Sequence, residues 1–88
     1  MSESELKRRY RWQCRRGLLE VDVVLNDYME RVFDDETEAH QLLFGRLLAS
    51  QDADLFEWFT RRSAPEDQEL SEYVEHILTR LRQLGRPD

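Results

Sequence analysis

An all-α fold, a small single-domain bundle of about five short helices over residues 1–88, follows from three observations. Apolar residues recur at three- and four-residue spacing along five successive segments. Short stretches that favour turns or helix ends divide those segments, at Gly17, around "DDETE", before "DADLFEWF" and at Pro65. Only "LEVDVVL" alternates like a strand, and no second strand is available to pair with it. An isolated strand is not stable, so the helical reading wins.

The first segment runs from about Glu3 to Arg15, with Leu6, Tyr10 and Cys14 as an apolar stripe. Its arginine-rich end suits the negative pole of the helix dipole, and Gly17 follows as a left-handed cap. The second, about Leu18 to Phe33, places Val21, Leu25, Tyr28, Met29 and Val32 at helical spacing. Glu20 and Asp22 fall in its first turns, where acids suit the positive pole. The third opens after "DDETE", with Asp35 and Glu38 at capping-box spacing and an apolar arc of Leu42, Leu43, Phe44, Leu47 and Leu48. The fourth is short, capped by Asp52 or Asp54, with Leu55, Trp58 and Phe59 facing inward. The fifth starts at Pro65. Its seam is Leu70, Val74, Ile77, Leu78, Leu81 and Leu84, and Gly85 and Pro87 end it.

A chain of 88 residues removes only about 60–65% of its unfolded surface from water, so a net stability of roughly 4–13 kcal/mol is expected. No apolar run approaches the ~20 residues of a membrane span, and the N-terminus lacks a signal-peptide core. Direct membrane insertion is therefore not expected. Cys14 is the sole cysteine, which excludes an internal disulfide and points to the cytoplasm. The net charge of −6 is unevenly spread. Residues 1–16 hold six bases against two acids, a balance of +4; residues 17–88 hold seven bases against seventeen acids, a balance of −10. The acidic remainder argues against wrapping a nucleic-acid backbone.

The residues of catalysis are missing. His40 and His76 have no Cys or His partner at ligand spacing, so no metal site is expected. No glycine-framed serine elbow and no glycine-rich phosphate loop exist. Cys14 lies among arginines, which would activate a thiol, but its stripe position makes it a small buried hydrophobe. Phe56, Trp58 and Phe59 close one end of the core; Trp12, one step off the first stripe and flanked by arginines, reads either as a core residue, the preferred role, or as partly exposed beside the corner. What is left is the corner "RRGLLE". It reads either as a plain helix junction or as a docking patch. In the second reading Gly17 allows a close backbone approach, and Arg16 offers bidentate contacts to a partner's carboxylate or phosphate.

"WQCRRGLLEVD" resembles the signature of the small flavinylation factors of succinate dehydrogenase, the SdhE family, whose hallmark is R-G-x-x-E. It reads here Arg16, Gly17, Leu18, Leu19, Glu20, with Trp12, Cys14 and Arg15 before and Asp22 after. The likeness continues through "LLASQDADLFEWF" and "APEDQELSEYVEHI" and so covers nearly the whole chain. Leu18 departs from a frequent methionine, a volume-conserving change. The resemblance implies a monomeric cytoplasmic assembly factor, not an enzyme. It would bind the flavoprotein subunit of succinate dehydrogenase, and in bacteria that of fumarate reductase too. It would promote covalent attachment of FAD, through the 8α-methyl group, to a histidine of that client. No catalytic residue, metal or cofactor of its own is implied, and FAD belongs to the client. Arg15, Arg16, Gly17, Glu20 and Asp22 become the expected partner-binding residues. Two other readings stand beside it: an antitoxin-like partner of a small toxin, since relatives have been described so, and a helical nucleic-acid module using the basic first segment.

Overall fold

The computed structural model describes residues 4–85, and the expected helix start at Glu3 and the stop at Pro87 lie outside them. Five α-helices and one 3₁₀ turn follow in order: α1 Glu5–Gln13, α2 Leu19–Arg31, the turn Phe33–Asp35, α3 Glu38–Leu48, α4 Asp52–Phe59 and α5 Gln68–Leu84. The strand-like alternation in "LEVDVVL" is overridden. Val21, Val24, Leu25, Tyr28 and Met29 form the buried face of α2, while Leu19 is 73% exposed. That face has the helical period.

The helix starts follow cap chemistry, though not always at the expected residue. Ser4 accepts from the Lys7 N–H and opens α1. Thr37, not Asp35, caps α3, its hydroxyl accepting from the His40 N–H at 3.1 Å. Asp35 is instead wound into the 3₁₀ turn that lets Val32 and Phe33 enter the core directly after α2. Gln51 precedes α4 without a side-chain cap, so Asp52 and Asp54 act as first-turn acids and not as caps. α5 begins three residues past Pro65, where Asp67 accepts from the Leu70 N–H at 3.0 Å. Pro65 is buried in the preceding loop.

α2 packs against α4 and α5, and α3 packs against α1 and α5. Phe44 is fully buried among aromatic rings, with centroids of Tyr28 at 4.6 Å, Tyr10 at 5.8 Å and Phe33 at 6.0 Å. Gly45 brings α1 and α3 together. A Cβ there would overlap the Tyr10 hydroxyl and come within 2.9 Å of its Cζ. Leu78 and Leu81 are half-buried, but two residues expected in the core are not there: Leu42 is 56% exposed and Leu84 44%. The wide arc of α3 narrows to Phe44, Leu47 and Leu48 in the core, with Leu43 half-buried against it.

Candidate functional site

The corner between α1 and α2 is built by two side chains that fold back on their own chain. α1 stops at Gln13, earlier than expected, with Cys14 as its C-cap and the Arg15 N–H on Trp12 O. Gly17 does have a left-handed φ of 86°, but it lies in the connection three residues past the cap. Its αL conformation turns the chain toward α2 and does not close α1. The Asp22 carboxylate, one turn into α2, accepts from the Arg16 N–H at 2.9 Å and the Gly17 N–H at 3.2 Å. Leu18, the N-cap residue, has no side-chain oxygen, and Asp22 does the ordering in its place.

Arg16 reaches away from the corner. Its Nε donates to Gln13 O at 2.8 Å, and Nη1 donates to Ser50 O at 3.1 Å and Asp52 Oδ1 at 3.0 Å. Nη2 donates to Leu48 O, the last residue of α3. One guanidinium therefore ties the end of α1 to the α3–α4 turn and sits at the negative pole of α3. Its side chain is only 14% exposed.

The corner's outer surface is made by the others. Trp12 is 73% exposed, which corrects the expectation of a core tryptophan. It lies two residues from Tyr10 and from Cys14, about 200° round the helix from each, so it faces away when they face in. The Arg15 guanidinium lies 5.8 Å from the Trp12 ring centroid, a cation–π contact at the surface. Leu18, Leu19 and Glu20 are also exposed, and Glu20 makes no hydrogen bond or ion pair among the described residues. An aromatic ring, two leucines, a cation and an acid are thus each exposed within the nine residues from Trp12 to Glu20 that make the corner. Exposed apolar groups rimmed by charge mark interaction surfaces. Leu19 escaped the reading of the sequence as a surface residue; for Trp12 the flanking arginines did point to exposure beside the corner, and the preference for the core was the error.

Cys14 behaves as the small hydrophobe expected, with no exposure and its Sγ 3.9 Å from Leu25 O. Burial pushes its thiol pKa from an ordinary 9.0 up to about 12, overriding the lowering by Arg16 and Arg11. The folded state thus favours the neutral thiol. That contribution to stability is fully present below about pH 9 and is lost as pH rises from 9 toward 12. In mildly alkaline buffer Ellman's reagent is expected to leave the native thiol unmodified over minutes and to titrate one thiol at once in denaturant. Rapid native labelling would show that Cys14 is reachable.

The basic first segment is less open than its charge suggested. Lys7 pairs with Asp34 at 2.8 Å and Arg16 with Asp52, leaving Arg8, Arg9 and Arg15 at the surface. No helix among the described residues is long and apolar enough to cross a membrane.

The sequence is similar to proteins named FAD assembly factor SdhE. It is 43% identical over 79 residues to the FAD assembly factor SdhE of Pseudomonas aeruginosa, covering 90% of this chain and 93% of that one. It is 41% identical over 76 residues to the FAD assembly factor SdhE of Idiomarina loihiensis, covering 86% and 84%. With that of Haemophilus influenzae it shares 42% over 71 residues, covering 81% and 84%. The sequence profile of Sdh5, the flavinator of succinate dehydrogenase, matches residues 8–81, from within α1 to the last turn of α5 and across the whole corner. This chain belongs to the flavinator of succinate dehydrogenase family.

Proposed function

We propose that this protein is an assembly factor that binds the flavoprotein subunit of succinate dehydrogenase and promotes covalent attachment of FAD to it. The α1–α2 corner is the docking face. One observation carries the assignment of the face. Within the family-matched residues, Trp12, Arg15, Leu19 and Glu20 are each exposed along the corner, while Asp22 holds its backbone and Arg16 ties it to the α3–α4 turn. Arg15 and Glu20 supply charge to the partner. Gly17 has nothing within 4 Å of where a Cβ would stand, which leaves room for a partner's backbone. Arg16 and Asp22 act as positioning residues.

The covalent chemistry belongs to the client, which holds both the flavin and the histidine. What a small helical partner can add is orientation of the client's parts and a preorganised electrostatic environment, and those are strong levers on a bond-forming step. The same reading extends to the flavoprotein of fumarate reductase as a second client, and to a free protein that is a cytoplasmic monomer.

The test is a pull-down of the tagged chain from its own cells, paired with a knockout strain. A flavoprotein of dehydrogenase size is expected in the eluate, with loss of covalent flavin fluorescence from that subunit in the knockout. A small toxin or nucleic acid in the eluate, with normal covalent flavin in the knockout, would overturn the reading.

A further inference from the structure

Away from the corner, a second cluster joins residues that the sequence keeps far apart. Glu36 lies between the 3₁₀ turn and α3, His40 in the first turn of α3, and His76 in the middle of α5. His76 Nε2 is 2.8 Å from Glu36 Oε1, and His40 Nδ1 is 3.6 Å from Glu36 Oε2. The two imidazole centroids are 4.3 Å apart. The Glu36 side chain is 7% exposed, whereas His40 and His76 are 34% and 30% exposed. A buried carboxylate therefore forms the floor of a site whose two walls are reachable from solvent.

From this geometry we infer that Glu36, His40 and His76 form a binding site for a divalent transition-metal ion of the zinc type. Three observations support it. Two imidazoles and one carboxylate are the ligand set of an open zinc site, with water at the fourth position. One ligand atom from each residue can be chosen so that all lie within 4.8 Å of one another. Bonds of about 2.0–2.2 Å in a tetrahedral shell place ligand atoms about 3.3–3.6 Å apart; the imidazoles stand 2.8 and 3.6 Å from Glu36, each from a different oxygen of the carboxylate.

The carboxylate is also braced from behind. Tyr28 O–H donates to Glu36 Oε1 at 2.8 Å, and Tyr73 O–H donates to Tyr28 Oη at 2.7 Å. Burial holds both phenols well above the usual tyrosine range, so they stay protonated as donors. Such outer hydrogen bonds orient a ligating carboxylate. Binding would pin α5 to the start of α3.

The experiment uses the full chain, stripped with chelator and titrated with Co²⁺ and Zn²⁺. Co²⁺ is expected to give visible d–d absorption of a low-coordinate site, saturating at one equivalent, and Zn²⁺ to abolish it and raise the thermal midpoint. His40→Ala and His76→Ala should each weaken binding beyond the roughly 10–100-fold that outer-shell changes cost. The exposed Asp54→Ala should retain it. His40→Gln, at the rim, serves should His76→Ala unfold. Absence of the band, or a band that survives both His40 variants, would overturn the site. So would a thermal midpoint that responds to protons but not to metal.

Discussion

Glu20→Ala is expected to leave the fold almost untouched and to remove most covalent flavin from the client. Glu20 is the second residue of α2, exposed, with no partner among the described residues. Its loss to the free monomer is a favourable dipole interaction worth a few tenths of a kcal/mol, or about 2 °C in Tm for a domain this small. At a desolvated interface the same carboxylate counts for far more. Truncating one partner of a buried charge pair costs about 2–5 kcal/mol of binding, roughly 30- to 5,000-fold in Kd. Arg15→Ala should act in the same direction, since among the described residues its guanidinium is held only against the Trp12 ring. The measurements are thermal unfolding of each variant and in-gel flavin fluorescence of the client in cells carrying it. Full flavinylation with both variants would mean that docking happens elsewhere on the molecule.

Arg16→Ala is expected to fail for a different reason, by weakening the fold. The substitution strips hydrogen bonds from the carbonyls of Gln13, Leu48 and Ser50 and leaves Asp52 without its cation. Hydrogen bonds to a charged group contribute about 1.5–3 kcal/mol each in favourable cases, but these share one side chain and water can replace part of them. A loss of about 2–3 kcal/mol, some 10–20 °C in Tm, is expected. Against a total of roughly 4–13 kcal/mol this is severe. Arg16→Lys should recover less than half, because a single ammonium cannot span acceptors on α1, α3 and the α3–α4 turn. If Arg16→Ala kept its Tm within about 2 °C while flavinylation vanished, the guanidinium would be a partner contact and not an internal clamp.

Glu20 and Arg16 close the same short motif, yet one faces outward and the other inward. Nothing in "RGLLE" distinguishes them. Both are charged residues near a helix end, and the dipole argument places either at the surface. The difference arises because Ser50 and Asp52, 34 and 36 residues further on, are brought beneath the corner by the α3–α4 turn.

What the sequence by itself determined was the set of helices, the buried stripe of Leu6, Tyr10 and Cys14 and the choice of helix over strand for α2. These rest on apolar spacing of three and four residues, a pattern complete within each segment before the chain has to close. Only the tertiary structure decided that Arg16 is internal. It also decided that His40 and His76 meet over Glu36. A polar side chain's partner is chosen by which helix ends lie within reach once the core has packed. For Glu36 and His76 that choice spans 40 residues, a distance over which local spacing carries no information.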